Sequence, residues 1–205
     1  MPGLLSRLTA SAALLTLLGA CGVLPEATQT EPTRYELTWQ PAAEIPQDAA
    51  TGTALFVSPP VAAEPYDTVR MIYVAEPLRI QYFADNQWAA EPAAMLQAVM
   101  LAELNSRRAF KVVSTGVPRG TKALRLEVNL LRIRQEFTSS PSAGVVELKA
   151  ELSRVPGGEI VAAGRFSARR NATQESPRGG AVALNQAVQQ LVAELADFVI
   201  ANAGN

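Results

Sequence analysis

The sequence contains no histidine and a single cysteine, Cys21. Without histidine the chain lacks the commonest general base, the usual activator of a nucleophile and the commonest zinc ligand, so most hydrolase and metalloenzyme readings fall away. One cysteine rules out an internal disulfide, and a domain of this length buries enough apolar surface to fold without one even in an oxidising compartment. Charge of one sign is also lacking: 18 basic residues stand against 19 acidic ones, which gives no electrostatic case for nucleic acid. There is no Gly-rich phosphate loop, no serine nucleophile elbow and no metal-ligand cluster at motif spacing. Asp67, Glu76 and Asp85 could supply an acid-base pair, but nothing in their spacing requires one. These absences predict a protein that is not an enzyme and carries no cofactor.

What is present starts at the N-terminus. Arg7 precedes an apolar run from Leu8 to Leu18, too short for a spanning helix of about 20 residues but suited to the apolar region of a secretory signal. The following Leu18-Gly19-Ala20-Cys21 resembles a bacterial lipobox. That resemblance implies cleavage before Cys21 and a diacylglycerol on its sulfur; an ordinary secretory signal cut at a small-residue site is the plainer alternative. On the lipoprotein reading residues 1–20 are signal, 21–33 an acylated N-terminus and linker, and 34–203 one domain. Loss of Arg7 then leaves 17 basic and 19 acidic residues, a net charge near minus 2. Gly22 stands where the Gram-negative sorting rule would place Asp for inner-membrane retention, so the lipobox resemblance favours the outer membrane. Gly22 to Thr33 is small, polar and broken by Pro25 and Pro32; such a linker is extended and reaches at most about 40 Å.

Along the domain, alternation predicts strands over Arg34–Trp39, with Tyr35, Leu37 and Trp39 on one face, and over Thr53–Val57, ended by Pro59-Pro60. Met71–Val74 and Leu78–Phe83 read as a hairpin around Ala75-Glu76-Pro77, closed by Asp85-Asn86-Gln87 and placing Leu78, Ile80 and Tyr82 on one face. Pro92 opens a helix with Leu96, Val99, Met100 and Leu104 at helical spacing, and Arg107 and Arg108 suit its C-terminal dipole. A short strand at Phe110–Ser114 follows. In Ala123–Ile133 the apolar phase jumps after Leu130, which predicts a bulge there. Gln135–Gly144 reads as a loop. Val145–Arg154 and Glu159–Arg169 form a hairpin around Pro156-Gly157-Gly158, with Val146, Leu148, Ala150 and Leu152 facing Ile160, Ala162 and Phe166. Asn171–Gly180 is a loop before a final helix carrying Leu184, Ala187, Val188, Leu191, Val192, Leu195, Phe198 and Val199 on one stripe. The fold class is α+β: a single two-layer domain, a mostly antiparallel sheet with two helices packed on one face.

Several segments together carry a family resemblance: Val57-Ser58-Pro59-Pro60, Pro65-Tyr66-Asp67, Met71-Ile72-Tyr73, Leu78 to Tyr82, Trp88-Ala89, Pro92, Met95-Leu96, Leu104 and Phe110-Lys111-Val112-Val113. The strand from Leu124 to Leu130, Gly157-Gly158, Phe166 and Ala183-Leu184-Asn185-Gln186-Ala187 continue it over nearly all of the mature chain. In their order and spacing these segments look like the ABC-type transport auxiliary lipoprotein family, to which the paraquat-inducible lipoprotein belongs. The resemblance implies a periplasm-facing lipoprotein partnering an ABC permease and a Mce-domain protein that move phospholipids or similar apolar molecules. It also implies contact with the membrane through the lipid on Cys21, and leaves a homo-oligomer open.

Tyr66, Asp67, Tyr73, Tyr82 and Trp88 are the candidate partner-binding residues, because Tyr and Trp are favoured at interfaces. Equally, the aromatics fill the junction between hairpin and first helix while Asp67 turns the chain. Arg132, Arg134, Arg165, Arg169, Arg170 and Arg178 could face lipid phosphates, but Glu127, Glu136, Glu147 and Glu175 among them favour a solvated strand face. Two rival functions remain: an outer-membrane assembly or plug lipoprotein of another envelope machine, and a lipid-binding carrier.

Overall fold

The computed structural model describes residues 31–41, 52–116 and 122–204. The signal, the lipobox with Cys21, the linker before Glu31 and most of the Pro/Ala/Asp loop after Gln40 lie outside the described residues. In chain order the strands are β1 (Thr33–Tyr35), β2 (Ala54–Val57), β3 (Val61–Ala62), β4 (Arg70–Glu76) and β5 (Arg79–Trp88). Helix α1 (Pro92–Arg107) follows, then β6 (Val112–Ser114), β7 (Ala123–Glu136), β8 (Ala143–Val155), β9 (Ile160–Asn171) and helix α2 (Pro177–Asn202).

Strand β7 is the spine of the sheet. One edge pairs antiparallel with β8 from Ala123↔Val155 to Glu136↔Ala143, and β8 pairs antiparallel with β9. The other edge is shared end to end by three short parallel partners: β2 against Ala123–Leu126, β3 against Asn129–Leu130 and β4 against Gln135–Glu136. Parallel pairing needs a long return path, which the chain through β5, α1 and β6 provides. The long ladders are therefore antiparallel, as expected, while the short parallel ones make the sheet mixed. The expected bulge is present, as a register shift between Leu130 and Arg132. It lets Leu130 and Ile133 both turn inward, at 1% and 2% exposure, although an uninterrupted period of two would put them on opposite faces.

Both helices cover one face. On β8, which lies against α2, Val146, Leu148, Ala150 and Leu152 are fully buried. On α2, Leu184, Ala187, Val188, Leu191, Val192, Leu195 and Val199 are buried, spaced at i, i+3 and i+4 as an amphipathic helix requires. The helix begins earlier than its apolar stripe suggests, because Ser176 caps it by accepting a hydrogen bond from Gly179 N at 3.1 Å and Pro177 occupies the first turn, where its missing donor costs nothing. Beneath that turn lies Gln135, expected in a loop but in fact in β7 and fully buried. Its Nε2 donates to Ser142 Oγ at 3.0 Å and to Ser176 O at 3.3 Å.

Four other departures have local causes. The first strand stops at Tyr35, and beyond it side chains of α2 hold the backbone: Thr38 N donates to Asn185 Oδ1 at 3.0 Å and Thr38 O accepts from Gln189 Nε2. Strand β5 runs on through Asp85-Asn86-Gln87 because it is paired on both edges there, with β4 at Arg70↔Gln87 and with β1 at Thr33↔Asn86. Strand β3 is two residues long, too short to leave a periodic signal. Finally, a register shift between Leu152 and Ser153 pairs Ser153 with Ile160, which leaves Ile160 57% exposed instead of facing the core.

Candidate functional site

The β4–β5 hairpin and the segments at its base bring the candidate aromatics near one another but divide their roles. Tyr66 and Trp88 are buried, at 6% and 2% exposure. Trp88 sits where β5 ends against Tyr35 of β1 and donates its backbone N–H to Val69 O at 2.7 Å. The Arg134 guanidinium donates to the Tyr66 hydroxyl; burial alone would lower the Arg134 pKa, and its bonds to Glu136 and Tyr66 hold it above the ordinary value. Tyr73 and Tyr82 are half-buried and Asp67 is exposed. Tyr73 packs tilted on Phe83, ring centroids 4.5 Å apart, and edge-on to Phe137 at 5.9 Å, both favoured aromatic arrangements. Tyr82 carries the Arg70 guanidinium 3.7 Å from its ring centroid, a close cation–π contact. Tyr82 pairs with Ile72 and Tyr73 with Gln81, so Tyr73 and Phe83 lie on one face of the hairpin and Tyr82 on the other.

At its tip the hairpin closes through Pro77 and Leu78 between the paired Glu76 and Arg79. Leu78 has φ +68° and is 105% exposed, and Ile80 is 41% exposed. The sequence pattern placed Leu78 on a strand face; the turn makes it the outermost apolar group of the hairpin.

The basic side chains of the sheet's open face are largely taken up by carboxylates. Arg132 and Arg165 both pair with Glu147, and Arg134 and Arg169 both pair with Glu136. The bond from Arg165 leads a set of contacts that depresses the Glu147 pKa despite some desolvation. Burial would raise that of Glu136, yet its bonds to Arg134 and Arg169 bring it below the usual carboxylate value. Both carboxyls therefore take up protons more readily in the unfolded chain. Stability from these clusters is fully present above the unfolded glutamate pKa of about 4.3 and falls as pH drops through the lower folded values. With no histidine to titrate, the urea midpoint should stay level from about pH 8 to pH 6 and decline below about pH 5. A decline beginning near pH 6.5 would contradict this.

A second polar cluster, missed in the sequence because Arg107 reads there as a helix-end charge, ties the helices together. Arg107 is 4% exposed. Its Nε donates to Glu103 Oε1 at 2.8 Å and its Nη2 to Asp197 Oδ1 at 2.7 Å, while Glu103 Oε2 accepts from Trp39 Nε1 at 2.9 Å. Burial pulls the Arg107 pKa down, and the two carboxylates more than offset it. Arg107→Ala should cost about 3 kcal/mol in urea unfolding, because Glu103, only 13% exposed, is left buried with its charge unmatched. Asp197→Ala should cost under about 1 kcal/mol, since that carboxylate is 66% exposed.

Among the described residues no group of three His, Cys, Asp or Glu side chains is placed to hold a metal ion, and no helix is long and apolar enough to cross a membrane. The geometry is that of an α+β domain with an apolar helix–sheet core and a β4–β5 hairpin that carries Tyr73, Tyr82 and Phe83. The family model described as the ABC-type transport auxiliary lipoprotein component matches residues 35–196, and the chain belongs to that family. The family is an auxiliary component of transport rather than an enzyme family. Among solved structures, a Xanthomonas campestris protein of the DUF330 family is similar at 22% identity and TM-score 0.72, covering 83% of this chain and 96% of its own. An uncharacterised protein is similar at 16% identity and TM-score 0.68, covering 83% and 99%. A hypothetical protein from Chlamydia trachomatis is similar at 8% identity and TM-score 0.51, covering 74% and 98%. At these identities the structures speak for the fold alone. A search of curated proteins returned no match.

Proposed function

We propose that this chain is a non-catalytic, periplasm-facing lipoprotein of a Mce-type ABC transport system for phospholipids or similar apolar molecules. It is anchored through a diacylglycerol on Cys21, in the outer membrane in preference to the inner, and docks the Mce-domain protein near the membrane. The observation that carries this reading is the family match over residues 35–196, together with a hairpin that leaves Tyr73 and Tyr82 half-buried and an exposed Asp67 in the segment before it. Interfaces favour such aromatic groups with a polar rim. The core sits better with docking than with carriage of a lipid inside it: Leu96, Met100, Leu126, Leu148, Leu152, Leu184 and Leu191 are all fully buried, and apolar core side chains pack closely on one another.

Capture of the acylated protein from envelopes in mild detergent tests the proposal. The expected result is co-elution of an ABC permease and a Mce-domain protein, reduced when Tyr73 and Tyr82 are replaced together by Ala. Elution with neither partner, or undiminished capture by the double variant, would count respectively against the function or against this surface. Mass spectrometry of the N-terminal peptide tests the anchor: a diacylglyceryl mass on Cys21 is expected, and an unmodified thiol would refute it.

A further inference from the structure

The β4–β5 hairpin has a tip unlike the rest of the surface. Pro77 and Leu78 form a two-residue turn whose second position, at φ +68°, favours glycine; a leucine there bears a steric penalty. Its side chain gains no packing in return, being 105% exposed, and Ile80 follows it at 41%. The two flanking charges neutralise each other, Arg79 Nη1 lying 3.3 Å from Glu76 Oε1, so the tip offers an apolar point without net charge. Strained backbone that persists around an exposed side chain points to a function for that side chain.

The course of the chain says what the tip faces. Strand β1 runs parallel to β5, Thr33 beside Asn86, so the polypeptide enters the sheet from the side on which the hairpin tip lies. Leu78 precedes Asn86 by eight residues in β5, roughly 25 Å of strand. The linker from Cys21 to Thr33 reaches at most about 40 Å. The tip therefore lies on the side from which the chain enters the sheet, at a distance from Thr33 shorter than the linker's full length. We infer that Leu78 and Ile80 seat in the interface of the bilayer into which Cys21 is acylated, fixing the orientation of the domain on its tether. This rests on the lipoprotein reading above. Two aliphatic side chains give too little apolar area for a stable anchor by themselves, but a second weak contact suffices once a lipid holds the chain at the surface.

The test uses the full acylated chain carrying Leu78→Cys or, at the opposite end of the sheet, Ile160→Cys, each labelled with an environment-sensitive fluorophore. Both are reconstituted on phosphatidylethanolamine–phosphatidylglycerol vesicles. The expected result is a blue shift at position 78 with strong quenching by lipids brominated near the glycerol, and neither at position 160. Replacing Ile80 by Asp should reduce the quenching at 78 several-fold while circular dichroism stays unchanged. Unlabelled Leu78→Gly, which relieves the left-handed strain, should remain folded and confirm that the tip is dispensable for stability. A chain that floats with the vesicles while the label at 78 stays in water overturns the inference and leaves the anchor standing. A label that becomes dry only when a partner protein is added also overturns it. A chain that neither carries an acyl group nor floats overturns both.

Discussion

Gly144→Ala is expected to cost about 3 kcal/mol and to loosen the packing of α2 on the sheet. A Cβ on Gly144 would lie 2.6 Å from Leu184 N and 2.8 Å from Ala183 C. These are backbone atoms in the interior of α2, so relief requires moving the helix off the sheet rather than turning a side chain. Overpacking usually costs about 1–3 kcal/mol, and the upper range applies where the obstacle is main chain in a close-packed core. Urea unfolding followed by far-UV circular dichroism measures the loss. Gly116→Ala is the control, since an added Cβ there meets nothing within 4 Å; it should change stability by less than about 0.5 kcal/mol. Equal effects at the two sites would contradict the close approach of β8 to α2.

Trp88→Ala should be as damaging, at about 3–5 kcal/mol. The indole is 2% exposed at the junction of β1, β5 and the entry to α1, so its removal opens a large cavity between elements joined by few residues. Tyr82→Ala should cost about 1 kcal/mol, because the ring is half-buried and its principal partner is the exposed Arg70. The contrast separates two roles for residues that look alike in sequence. Loss of partner capture by a folded Tyr82→Ala protein places docking on the hairpin, whereas loss in Trp88→Ala alone, with unfolding, reports only the core.

How much of this could be read from the residues follows from where each signal originates. Helix α2 was legible because its stripe repeats over several turns, and the β8–β9 hairpin because alternation and Pro156-Gly157-Gly158 agree. The bulge near Leu130 was legible as a phase change. Features fixed by distant partners were not. Past the end of β1, Asn185 and Gln189 of α2 bind the Thr38 backbone, and β5 continues because Thr33 arrives beside Asn86. The parallel edge of β7 depends on which three short segments come back to it, a choice that hydrophobic period does not encode. Burial divided the aromatic candidates for the same reason: Tyr66 and Trp88 lie where elements converge, Tyr73 and Tyr82 on a hairpin that projects. Gly144 had a faint signal as a glycine at the start of a strand pattern. The burial of Arg107 had none, since its partner Asp197 lies far away in sequence. Leu78 stood in plain view, but its exposure comes from the turn and not from the alternation around it.

Quantitative capture of the acylated full-length protein from native envelopes tests the proposed function most directly. The same preparation, carrying the Tyr73→Ala and Tyr82→Ala double substitution, serves as comparison. On the proposed function, an ABC permease and a Mce-domain protein co-elute with the unaltered chain and fall away with the double variant while its fold is retained. Recovery of the unaltered chain free of both would contradict it.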